Sequence, residues 1–85
     1  MASYKLLIKR SAAKELERLT LQDRRRISAR IQALGADPRP PGGEKLSGEE
    51  KYRVRQGDYR VLYVIDDGAQ TVTVVSIGHR RDVYR

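Results

Sequence analysis

The chain contains no cysteine, which excludes a disulfide framework and any metal site built on thiolates. It contains one histidine, His79, so no imidazole cluster can hold a metal. No apolar run approaches the roughly 20 residues that a membrane-spanning helix needs. The opening residues, Met1 to Arg10, lack the apolar core of a secretory signal. All three prolines fall between Asp37 and Glu50. These absences point to a soluble cytoplasmic protein with no metal, no small-molecule cofactor and no membrane partner. At 85 residues the chain has room for one small core, read as a single domain over residues 1–85.

Positive charge is in excess. Lysine and arginine number 18 against 11 acidic residues, for a net charge of +7. Such a field on a small body suits nucleic acid, an acidic membrane surface or an acidic protein. Arginine outnumbers lysine, 13 to 5. Solubility alone is served equally by lysine, whereas planar, bidentate contact with phosphate favours arginine. Charge and arginine bias together favour a nucleic-acid partner over a merely solvated basic surface.

The pattern along the chain predicts an α+β domain in the order β-α-α-β-β-β. Tyr4 to Ile8 form a first apolar strand. Ser11 is the expected N-cap of a helix through Leu19, with Ala12, Leu16 and Leu19 on one face. Thr20 caps a second helix, with Asp23 three residues on and Ile27, Ile31 and Leu34 as its buried stripe. Gly35 is expected to end it, and Pro38 confirms the stop. Asp37 to Glu50 is read as a loop anchored by Leu46. Strands are expected over Lys51 to Gln56, Tyr59 to Asp66 and Gln70 to Ile77, with Gly57-Asp58 and Asp67-Gly68 as turns. The helical hairpin should pack on one face of a mainly antiparallel twisted sheet.

The segment Tyr52 to Tyr63, YRVRQGDYRVLY, carries the chemistry. Alternation puts Arg53 and Arg55 on one face and Tyr52 and Val54 on the other. Arg60 follows the turn and Lys51 precedes the first arginine. Arg80 and Arg81 lie just beyond the last strand. The bland alternative is a solvated face whose arginines pair with Asp58, Asp66, Asp67 and Asp82. Repetition of guanidiniums on adjacent strands favours a phosphate site. Tyr84 either packs the C-terminus down or stacks on an unpaired base. Tyr4, Tyr59 and Tyr63 are read as core. His79 is a bystander or, beside Arg80, an acid-base group. The run Asp23 to Arg26 with Arg30 is read chiefly as a solvated helix face.

With these residues in view, the chain resembles the RelE family of toxins, within the wider RelE/ParE superfamily. The resemblance is strongest over Leu46 to Asp67 and Ile77 to Arg85 and spans nearly the whole chain. It implies a RelE-like, microbial-RNase-like fold. It also implies a ribosome-dependent endoribonuclease that cuts mRNA in the ribosomal A site without metal, and a RelB-like antitoxin as partner. By the same resemblance Arg53, Arg55, Arg60, Arg80 and Tyr84 are catalytic; Lys51 and Arg81, their neighbours in the basic cluster, are read as contacts to RNA, mRNA or ribosomal RNA. The family pattern has lysine at the first two positions. Arginine cannot take up a proton there at ordinary pH, which makes His79 the expected proton carrier, with Glu49 and Glu50 behind it. Two other readings fit the same features. One is a ParE-like inhibitor of DNA gyrase; the other is a non-catalytic RNA- or ribosome-binding module.

Overall fold

Period-two alternation in the second half of the chain builds a sheet, and helical spacing in the first half builds the two helices that cover it. The computed structural model describes residues 3–46 and 51–79. Their order is β1 (Lys5–Ile8), α1 (Arg10–Glu17), α2 (Leu21–Ala36), β2 (Glu44–Lys45), β3 (Lys51–Gln56), β4 (Tyr59–Asp66) and β5 (Thr71–His79). The strands lie in the order β1-β5-β4-β3-β2. β1 runs parallel to β5, and the other neighbouring pairs are antiparallel. Ala12 of α1 and Ile27, Ile31 and Leu34 of α2 pack against Tyr52, Val54, Val61, Tyr63, Ile65, Val72, Val74 and Ile77 of the sheet. The fold is α+β, with both helices on one face, as the sequence predicts.

The helix boundaries differ in instructive ways. Thr20 does cap α2: its hydroxyl accepts the Asp23 N–H at 3.2 Å. Ser11, in contrast, lies inside α1, whose N-cap is Lys9 with no side-chain cap bond. The helix ends at Glu17, before Leu19. Gly35 does not terminate α2, which continues to Ala36. A Cβ at Gly35 would stand 3.3 Å from the carbonyl oxygen of Tyr4, so glycine here lets the helix lie close against β1. The Tyr4 N–H donates to the Gly35 carbonyl at 2.8 Å across that contact.

The turns also divide. Gly57 takes a positive φ of 61°, as the tight β3–β4 hairpin demands. The β4–β5 connection is longer than the Asp67-Gly68 pair suggests, and its left-handed residue is Gln70, with φ 53°. A β-bulge interrupts the β4–β5 ladder: Leu62 pairs with Ser76 and Tyr63 with Val74, leaving Val75 extra. Above the bulge Val72 and Val74 face the core; below it Ile77 does. Every side chain after Val75 therefore faces the side opposite to that expected from simple alternation.

The segment read as a loop contains β2, paired to β3 through Glu44↔Arg53 and Lys45↔Tyr52. Its anchors are not Leu46, which is half-buried, but Pro38 and Arg39. The Tyr63 hydroxyl donates to the Pro38 carbonyl at 2.7 Å. Arg39 donates to the Tyr52 hydroxyl at 3.1 Å and grips both oxygens of Asp67 at 3.2 and 2.9 Å. Its guanidinium carbon stands 5.2 Å from the Tyr52 ring centre. Tyr4 also donates to Asp67, at 2.7 Å. Arg39 and Tyr4 together hold the Asp67 carboxyl below the usual carboxylate range.

Candidate functional site

Among the described residues no helix lies on the other face of the sheet, and that face collects the basic side chains. On β3, Tyr52 and Val54 point into the core while Lys51, Arg53 and Arg55 point away. On β4, Val61, Tyr63 and Ile65 point in, leaving Arg60, Leu62 and Val64 on the face of the arginines. The register sets Arg55 directly opposite Arg60 and Arg53 opposite Leu62. Paired residues of an antiparallel ladder share a face, so these guanidiniums crowd one short stretch of hairpin.

Arg60 is the deepest of them, at 6% exposure. It is the buried charged residue among the described residues. Its other neighbour in register is Gly78 of β5, which has no side chain. Arg53 is half-buried and forms an ion pair with Glu44 across the β2–β3 ladder. Arg55 is exposed. Like charges directly opposite each other on a ladder are destabilising. The ladder sets two guanidiniums, Arg55 and Arg60, directly opposite each other.

Two of the nearby aspartates are engaged elsewhere. Asp67 is taken by Arg39, and the Asp66 carboxylate accepts the Ala69 N–H at 3.0 Å. On the cationic face Glu44 pairs with Arg53, from a segment that reads as loop in the sequence. No turn or alternation signal in Glu44-Lys45 marks it.

The structure does not place His79 on the face that carries the described arginines. His79 is the last residue of β5 and pairs with Tyr59, not Arg60. The rings meet edge-to-face at 5.8 Å and 79°. Both line a cleft of about 300 Å³ with Asp23, Arg26, Gln56 and Asp58, on the helix side of the sheet. The bulge at Val75 is the cause, since it turns Gly78 toward Arg60 and His79 away. Arg80, Arg81 and Tyr84, together with Glu49, Glu50 and Asp82, lie outside the described residues. Among the described residues, no group of three or more His, Asp or Glu side chains could hold a metal ion. None of the described helices is long and apolar enough to cross a membrane.

A hairpin loaded with guanidiniums, backed by two helices on a sheet of this order, has counterparts among known proteins. The sequence profile described as ParE toxin of type II toxin-antitoxin system, parDE, matches residues 6–84. The chain belongs to the RelE/ParE superfamily of type II toxins. Toxin RelE of Mycobacterium tuberculosis is 32% identical over 88 residues, covering 96% of this toxin and 87% of its relative. Toxin RelG of the same organism is 47% identical over a shorter stretch of 34 residues, 40% of this toxin and 39% of RelG. Among solved structures, the RelBE2 toxin-antitoxin complex of Mycobacterium tuberculosis contains a chain that superposes with a TM-score of 0.83 at 28% identity. That match covers 96% of this toxin and 97% of that chain.

Proposed function

We propose that this toxin is a ribosome-dependent endoribonuclease that cuts mRNA in the ribosomal A site and so stops translation. The observation that carries the reading is the opposition of Arg55 and Arg60, with Arg53 alongside, on the face of a rigid hairpin that points away from the helices. Clustered guanidiniums on a rigid sheet suit a phosphate, whose oxygens they can contact in pairs.

The chemistry follows from that charge. The 2′-oxygen of one nucleotide attacks its own 3′-phosphorus, and the bond from phosphorus to the next 5′-oxygen breaks. A 2′,3′-cyclic phosphate and a 5′-hydroxyl remain, and the proton lost by the 2′-hydroxyl is finally carried by the 5′-oxygen. Negative charge builds on the phosphorane, where fixed guanidiniums stabilise it more than they stabilise the substrate. Arg55 and Arg60 take that role, joined by Arg80 from the resemblance. Arg53 orients the phosphate. Lys51 and Arg81 follow the RNA backbone, and Tyr84 stacks on a nucleotide. The described face supplies charge and no imidazole, so the ribosome's part is to hold the mRNA in the in-line geometry that the toxin does not itself impose.

Primer extension on an mRNA translated in a purified system tests this reading. New stops within A-site codons, present only with both ribosomes and toxin, are expected. Intact mRNA with continuing translation would overturn it, and DNA damage in expressing cells would then place the toxin with gyrase inhibitors.

The partner proposed with this function is an acidic RelB-like antitoxin, supported by the toxin-antitoxin complex of the similar RelBE2 chain and by the net charge of +7. Neutralising the acidic residues of its toxin-binding segment is expected to weaken inhibition in a translation assay. Undiminished inhibition would argue against an electrostatic clamp.

A further inference from the structure

We propose that Glu44 is a positioning residue, which holds the Arg53 guanidinium in the orientation that a phosphate meets. The inference rests on the nuclease reading above and adds to it a residue outside the basic cluster.

Three observations converge on Glu44. Its position in the two-residue strand β2 is directly opposite Arg53. Its carboxylate is ion-paired to an Nη of Arg53. The two sides of the pair are unequal: the Glu44 side chain is 57% exposed and that of Arg53 only 13%. The acid thus reaches from the rim of the sheet to a cation set into the face. A guanidinium has five N–H donors in a fixed plane. A carboxylate bonded to one edge restrains that plane.

Arg53 has reason to need such a hold. It shares its face with Lys51, Arg55 and Arg60, whose like charges act on its flexible side chain. Its backbone is already fixed, because the neighbouring Tyr52 is stacked on Tyr63 and bonded by Arg39. The remaining freedom is in the side chain, and the Glu44 ion pair restrains it before substrate arrives.

Opposite effects on binding and on rate separate positioning from simple electrostatics. Removing a negative charge from a polyanion-binding face favours RNA binding. Removing a positioning contact slows the chemical step. The experiment is a double-mutant cycle on the full-length toxin with mRNA-programmed ribosomes, using Glu44→Gln, Arg53→Gln and the double variant, and reading kcat and KM separately. Glu44→Gln is expected to lower kcat by about tenfold with no rise in KM, and to melt with the wild type because the residue is exposed on an edge strand. In the Arg53→Gln background the same change should lower kcat no further. An equal loss in both backgrounds, or a kcat unchanged or raised by Glu44→Gln, would overturn the proposal. Failure of the wild type to cleave on ribosomes is a different result, which would remove the nuclease reading and the role of Glu44 with it.

Discussion

Arg60→Ala is expected to lower kcat for A-site cleavage by about 10²- to 10³-fold, the loss seen when one preorganised charge-stabilising donor is removed from an active site. Arg60 is 6% exposed, set between Arg55 on β3 and Gly78 on β5. A cation so placed has given up most of its water, and its field acts on a bound phosphate through protein rather than solvent. Exposed Arg55 shares its charge with the surrounding water, so its loss should be the smaller of the two. Single-turnover cleavage on programmed ribosomes measures the chemical step directly. Arg60→Lys keeps the charge without the planar fork and should recover part of the rate. A wild-type rate in Arg60→Ala would mean that the buried guanidinium serves the fold alone. The melting temperature of the variant separates a lost fold from a lost charge.

How far such a site is legible from sequence depends on the kind of signal each residue leaves. Alternation in YRVRQGDYRVLY was enough to place Arg53, Arg55 and Arg60 on one face and Tyr52, Val54 and Val61 on the other, because both strands run without interruption between the turn and their ends. The same rule fails on β5. There Val74 and Val75 stand together, one residue is extra, and the faces exchange at that point. A reader who continues the alternation from Val72 and Val74 arrives at His79 on the cationic side, when it packs against Tyr59 on the other. The adjacent valines were the available sign. Glu44 and Arg39 left none. Each acts through a partner distant in sequence, Arg53 in one case and Asp67 in the other, and no local pattern encodes such a pairing. Gly35 shows the converse: a residue well placed to stop a helix instead makes room for β1, which only the packing reveals.

The largest stability effect expected is at Tyr63, directly behind the cationic face. It is 0% exposed, stacked on Tyr52 with ring centres 5.8 Å apart and planes at 22°, and its hydroxyl closes the Pro38 segment onto the sheet. Tyr63→Ala removes a whole buried ring, a change that costs about 3–5 kcal/mol where the cavity cannot collapse. A chain of this length has a total stability on the order of 4–13 kcal/mol. The variant therefore loses between a quarter and all of it, and urea titration should show an early transition or none. Tyr63→Phe isolates the hydroxyl. It keeps the ring, leaves the Pro38 carbonyl without that donor, and is expected to cost about 1–3 kcal/mol. The two variants also differ from wild type in alkali. Burial pushes the Tyr63 phenol up to about 12, against about 10 in an unfolded chain. Between these values the unfolded chain gives up a proton that the folded chain keeps. The contribution of Tyr63 is thus fully present below pH about 10 and is lost as pH rises toward 12. Melting temperatures of wild type should fall more steeply over that window than those of Tyr63→Phe, and equal slopes would show that the phenol titrates alike in both states. The consequence reaches the site, since the ring that holds Tyr52 in place also fixes the strand from which Arg53 projects.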